Sequence, residues 1–312
     1  MVANREADDQ NSVKVKLPLH IVDAHHHIWD TRLGRHPWLC ENPPIHFRYG
    51  DYAAIRRPYL LDDYLGDATP IEITASIYVE TEWWDNDPVG EMDWVAGLKT
   101  GGSLPSVAVA QAWLDRADVA QVLENHAGRG FVRSVRHKPR SNAAPGGAHG
   151  GMVDASWRAG FSLLAPLDLR FDLQTPWWHL EEARALADAF PSTRIILNHA
   201  GLPADRSPEG IAGWREAMRN FAGAPNVSVK ISGIGQPGKP WSAIENREIV
   251  LTTIDLFGVD RCMFASNFPV DSLCGSFAEI IGGFAQIIAD FSFQERDALF
   301  ARNAMRIYNI AD

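Results

Sequence analysis

Short apolar runs alternate with amphipathic segments along most of this chain, and beyond residue 70 the alternation is regular. Eight runs have the length and the β-branched, aromatic character of strands: Leu19–His27, Ile71–Glu80, Ser106–Ala112, Gly130–Arg136, Phe161–Leu167, Thr193–His199, Asn226–Ser232 and Cys262–Ser266. Between them apolar residues recur with a helical period. The pattern predicts helices over Leu60–Leu65, Pro88–Lys99, Asp115–His126, Val153–Arg158, Glu209–Phe221 and Ser242–Phe257. Thr175 and Pro176 start another, with Leu180, Ala183, Ala187 and Phe190 on one face and Pro191 ending it. After the eighth strand, Phe277, Ile280, Ile281, Phe284, Ile287, Ile288 and Phe291 mark one helical face. Ser292 and Glu295 then form a capping box for a last helix running to about Tyr308.

Alternating βα units with nearly continuous apolar strands make a parallel sheet, and eight of them imply closure. The expected fold class is therefore α/β, a distorted TIM (β/α)8 barrel forming a single domain over residues 17–312. Residues 1–16 are expected to be a polar, loosely ordered tail. Residues 31–69 contain HPWL, NPP and RRPYLLDDYL, too rich in proline for one helix, and are read as an elaborate loop that lids the barrel. The stretch SNAAPGGAHGGM is a flexible loop inside the domain rather than a linker between domains.

Composition narrows the chemistry. A formal net charge of −10, with Lys and Arg scattered, argues against nucleic acid or an anionic membrane as partner and leaves a small-molecule substrate. Three cysteines (Cys40, Cys262, Cys274) without paired spacing suit free thiols in a reducing cytoplasm. The polar start lacks the apolar core of a signal peptide, and no run approaches a membrane span, so a cytoplasmic location is expected. These patterns do not encode the oligomeric state.

In (β/α)8 barrels the active site lies at the carboxyl ends of the strands. Strand one ends in Asp-Ala-His-His-His. Alternation puts Asp23, His25 and His27 on one face and His26 on the other, which makes His26 a buried structural residue. His25 and His27, about 6.6 Å apart along a strand, can turn their rings to one metal ion, with Asp23 beside them orienting a ring or acting as a ligand. Strand six ends in His199 and strand eight in Asn267, with Asp271 four residues beyond, either a carboxylate for the site or a brace for its loop. Arg136 and His137 end strand four and suit either a carboxylate-bearing substrate or an ion pair across the barrel rim. Lys230, inside strand seven, contacts an anionic group or pairs with an internal acid such as Asp168. Glu80, Glu82, Trp83 and Trp84 follow strand two, the tryptophans as pocket wall and either glutamate as an alternative base. His36, Trp38 and Tyr49 sit in the long first loop. His179 reads as an ordinary helix position.

The motifs DAHHHIWD, HPWL, LDL with QTP, FPSTRIILNHAG, NVSVKISG and RCMFASNFPVD, in that order, resemble the amidohydrolase superfamily. Within it they are similar to the amidohydrolase-related branch of 2-pyrone-4,6-dicarboxylate lactonase and the sugar-acid lactonases. The resemblance implies a distorted barrel in which His25, His27 and His199 face a shared polar centre holding one divalent metal. Zinc suits three nitrogen ligands, with Mn, Fe or no metal as alternatives. It also implies attack of metal-activated water on a carbonyl, hence opening of a small, acidic lactone. The sequence departs from the usual S-D-x-P of strand eight: Asn267 in Ser-Asn-Phe-Pro cannot take a proton from water. Two further readings stay open, non-oxidative decarboxylation of a hydroxybenzoate-type acid and a non-catalytic ligand-binding barrel.

Overall fold

Eight strands pair in sequence order in one parallel sheet, β1 through β8. They are β1 (Val22–His26), β2 (Ala75–Val79), β3 (Val107–Gln111), β4 (Val132–Arg136), β5 (Arg170–Leu173), β6 (Ile195–Leu197), β7 (Val227–Ile231) and β8 (Cys262–Phe264). Two backbone bonds join β1 to the chain just past β8, Asn267 N–H to the His25 carbonyl (2.8 Å) and His27 N–H to the Phe268 carbonyl (2.7 Å). The sheet thus curls into a nearly closed barrel. The structure is a computed structural model describing residues 17, 18, 20–99 and 104–311. The expected tail over 1–16 and the proposed strand start at Leu19 lie outside the described residues.

Helices fill the connections: α1 (Pro37–Cys40) and α2 (Leu61–Ala68) in the long first loop, then α3 (Gly90–Leu98), α4 (Val119–Ala127), α5 (Ala155–Phe161), α6 (Leu180–Ala189), α7 (Pro208–Ala222) and α8 (Ala243–Phe257). After β8 come α9 (Phe277–Ile287), α10 (Phe293–Asp297) and α11 (Asn303–Tyr308). The capping box at Ser292 and Glu295 forms as expected, and Ser276 with Glu279 forms a second one at α9. No helix among the described residues is long and apolar enough to cross a membrane.

Two apolar cores follow from the alternation. One lies between sheet and helices. The other fills the barrel with Val22, Ala24, Ile77, Val79, Val109, Ile196 and Met263, and Ile307 and Tyr308 of α11 close its lower end. One strand differs from expectation. Phe161 ends α5, and Ala165–Leu167 is a 3-10 turn, so Phe161–Leu167 is not strand five; that strand is Arg170–Leu173. Pro166 removes a ladder donor, and Asp168 takes a left-handed conformation (φ 52°), so an apolar run that reads as a strand becomes a helix end and a turn.

The shift matters for the interior. Asp172 of the true β5 is fully buried and pairs with Lys230 (2.7 Å). It also accepts from Ser134 (2.7 Å), Asn198 (2.9 Å) and Tyr308 (2.8 Å). The partner of Lys230 is therefore Asp172 rather than Asp168, which sits 88% exposed beside Arg170. The pair crosses the barrel below the mouth, where an unpaired charge would be costly.

Candidate active site

At the mouth the imidazoles of His25, His27 and His199 meet. The ring centroids of His25 lie 4.9 Å from His27 and 4.6 Å from His199, and all three side chains are buried. His25, in β1, and His27, just past its end, reach one point because β1 carries an irregularity. The register of β1 on β2 shifts between Asp23 and His26, so alternation is interrupted there. Ala24 remains in the barrel core and His25 joins His27 at the centre. His26 turns away, bonding Ser76 (3.0 Å) and stacking on Tyr64. Asp23 leaves the histidine face on which alternation put it: its carboxylate takes the Tyr64 hydroxyl (2.9 Å), the Ser266 hydroxyl (2.5 Å) and the Ser266 N–H (2.9 Å). It ties β1 to the chain after β8 instead of orienting a ring.

A backbone acceptor sets the tautomer of His27. The Val79 carbonyl 2.8 Å from His27 Nδ1 requires a proton there, which leaves a lone pair on Nε2. That Nε2 is 3.2 Å from His25 Nε2, while His25 Nδ1 is buried without a partner. His199 Nδ1 is held by the Ser232 hydroxyl at 3.0 Å. Burial, helped by neighbouring cations, lowers all three histidine pKa values well below the ordinary range, so the rings are neutral at pH 7.

The metal expectation can be tested on this donor set. Two nitrogens each about 2.1 Å from one ion, at tetrahedral or octahedral angles, stand about 3.0–3.4 Å apart. The His25–His27 separation fits that range. The expected three-histidine set is not assembled, because among the described residues no three His, Cys, Asp or Glu side chains are arranged to hold an ion. The spacing thus fits the His25–His27 pair, with His199 held beside it by Ser232.

At strand eight, the Asn267 side-chain amide donates to Asp271 (2.6 Å), which leaves its oxygen for the cavity it lines. Asp271 also accepts from Tyr49 (2.9 Å) and lies 3.8 Å from Arg48. It is 1% exposed and, of the two readings of its role, matches the loop brace. Burial raises its pKa, partly offset by Arg48 and these bonds. Three of the turns at the mouth carry non-glycine residues at positive φ, namely Glu82 (56°), His199 (56°) followed by Ala200 (48°), and Asn267 (56°). Strained backbone of this kind persists where the surroundings over-determine it.

The chamber above the rings has a volume of about 200 Å³. His27, His199, Asn267, Trp38, Arg48 and Arg136 contribute to its wall. Arg136 is buried and bonded to the Glu80 side chain and carbonyl and to Gln174 (2.9 Å), so Glu80 serves as its counter-ion. Glu82 pairs with Lys138. Several expected contacts are absent from this chamber. Lys230 is sealed below with Asp172. His137 accepts from the Leu114 N–H and the Trp157 indole, both 3.0 Å away. Trp83 packs on His36 and Trp94, and Trp84 opens to solvent; with His137 they border an adjoining compartment. Tyr49 reaches the site through Asp271 and through the Arg48 guanidinium over its ring (4.4 Å), and His179 is bonded to Glu182 (3.0 Å). Sequence reading missed Arg48, Lys138 and Gln174. Gln174 would have been found with strand five in its true place, since it directly follows Leu173.

A family model described as Amidohydrolase matches residues 22–310. Among curated proteins, the uncharacterized protein y4mH of Sinorhizobium fredii is 37% identical over 295 residues, covering 93% of this chain and 98% of that one. An L-fucono-1,5-lactonase of Burkholderia multivorans is 27% identical over 311 residues, covering 93% of this chain and 96% of that one. Among solved structures, an amidohydrolase of Burkholderia multivorans with bound zinc superposes with a TM-score of 0.77 at 24% identity, covering 93% of this chain and 99% of that one.

Proposed function

Because the chain belongs to the amidohydrolase family, we propose that it is a hydrolase opening a small, sugar-derived lactone at the mouth of the barrel. The observation that carries this reading is the convergence of His25, His27 and His199, held neutral by burial, beside a chamber walled by two arginines. The likeness to an L-fucono-1,5-lactonase supports the bond type. Water adds to the ring carbonyl carbon, the bond to the ring oxygen breaks, and that oxygen takes a proton, giving a hydroxy acid. His25 and His27 would hold a divalent ion, zinc by the donor set, which when bound lowers the pKa of water and polarises a carbonyl.

The chain's own groups do the rest. His199, its Nδ1 held by Ser232, keeps Nε2 to accept the proton of the attacking water and to return it to the leaving oxygen. Asn267 cannot act as that base, and its oxygen, set by Asp271, accepts a hydrogen bond from water or from a substrate hydroxyl. Arg48 receives the carboxylate formed on opening, or one the substrate already carries, while Arg136 stays paired with Glu80 in the wall.

The test is hydrolysis of a panel of aldonolactones and 2-pyrone-4,6-dicarboxylate, followed by acid release, for wild type, His25→Ala and His199→Ala with folding checked by circular dichroism. Losses of at least 100-fold in both variants are expected. Unchanged rates in both would end this reading, and carbon dioxide release without acid production would replace it with decarboxylation.

A further inference from the structure

Past the Arg136–Glu80 and Lys138–Glu82 pairs the chamber opens into a second compartment of about 580 Å³, and those four side chains and Trp38 border both spaces. The inner chamber, at about 200 Å³, falls below the roughly 300–1,000 Å³ of small-molecule sites. The outer one falls within that range. Resting on the lactonase reading, we propose that the outer compartment is a subsite for a neutral glycosyl unit, so that the substrate is a lactone carrying a second sugar ring.

The chemistry of the walls carries this. Trp84 and Trp113 border the compartment, Trp84 with 41% of its surface exposed, and each has an arginine over one face, Arg35 at 5.0 Å and Arg116 at 5.7 Å, which leaves the other face for a ligand. An indole face is electron-rich and attracts the polarised C–H groups on one face of a pyranose. Gln111 borders the compartment, and its buried side-chain oxygen has no partner. A buried acceptor left unpaired is destabilising, and a small turn of the amide toward a ligand hydroxyl would relieve that cost. His137 complements it: both groups bonded to its Nδ1 are N–H donors, so its proton sits on Nε2, a donor to a ligand oxygen. Charge argues against an acid here. Arg136 and Lys138 are already matched by Glu80 and Glu82, while Glu41 and Asp85 add negative charge to the wall. Aromatic faces, an acceptor, a donor and surplus carboxylates together describe a polyhydroxylated, uncharged ring.

The probes are D-glucono-1,5-lactone and its 4-O-β-D-galactopyranosyl derivative, assayed with wild type, Trp84→Ala/Trp113→Ala and Gln111→Leu. Wild type should favour the galactosyl lactone at least tenfold in kcat/KM, and both variants should bring that ratio near one. A wild-type ratio at or below one, or a ratio the variants leave unchanged, overturns the subsite whatever the absolute rates. If neither lactone is opened, calorimetric titration with 4-O-galactosylgluconate and gluconate decides separately. Selective binding of the disaccharide acid that the variants abolish upholds the subsite while the lactonase reading falls. Equal binding, or none, sinks the subsite.

Discussion

Gly233 follows β7 and Ser232 at φ +57°, and the space beside it is taken by the site itself. A Cβ there would lie 2.5 Å from His199 Nδ1 and 2.8 Å from an Arg48 nitrogen, against about 3.4 Å for ordinary contact. Arg48 can swing aside. His199 cannot do so cheaply, being buried, bonded to Ser232 at 3.0 Å and packed on His25. Gly233→Ala must therefore push the ring by nearly 1 Å, a misplacement that costs on the order of 100-fold in rate, about 2.7 kcal/mol of transition-state stabilisation. The left-handed backbone adds roughly 1–2 kcal/mol of instability for any residue with a Cβ, a fall in Tm of roughly 2–4 °C for each kcal/mol. Gly238 separates the two effects: its φ is +66°, and nothing lies within 4 Å of its would-be Cβ. Gly238→Ala should show the fall in Tm and keep its turnover. The assay is kcat/KM for the best lactone of the panel at a temperature well below both melting points. Turnover of Gly233→Ala within threefold of wild type, or equal losses in the two variants, would refute the claim that ring position limits the rate.

Three further outcomes follow from buried charges. Lys230→Met leaves Asp172 uncompensated in the barrel and should lower unfolding free energy by about 3–5 kcal/mol in urea titrations; a change under 1 kcal/mol would contradict the buried pair. Glu91, in α3, is buried while accepting from Thr81 and Tyr78, and burial together with Glu80 pushes its pKa up to about 7. Between about pH 4.5 and 7 the folded state holds a proton the unfolded chain has lost, so stability falls as pH rises through that window, by roughly 3 kcal/mol in all. Glu91→Gln should flatten that part of the stability profile, and an undiminished slope would assign it to another group. Asp271→Asn weakens the grip on Asn267 and Tyr49 by roughly 1.5–3 kcal/mol, the usual worth of bonds to a charged group. A loss of at least tenfold in kcat is expected, with Tyr49→Phe milder; unchanged kcat in Asp271→Asn would make the brace irrelevant to turnover.

The chain order of the barrel and the location of its centre were legible in the sequence, because both depend on local regularities. Apolar periodicity identified seven of the strands and the helices between them, and the rule that sites form at strand carboxyl ends pointed to His25, His27, His199 and Asn267. That His26 would turn away also followed from its position between the two. Other features exist only in three dimensions. The irregularity in β1 depends on pairing with β2, and it moves Asp23 off the histidine face to the join between β1 and the chain after β8. The position of β5 is selected by barrel register, Asp172 opposite both Arg136 and Ile196, over a more apolar run that became a helix end. Lys230 finds Asp172 across 58 residues, and Arg48 arrives from a loop without periodicity, so no window of sequence could reveal either contact. Local pattern determines which segments fold as what. Which side chains share a buried volume, and hence which charges are paired and which nitrogens remain free, is decided only when the ring of strands closes.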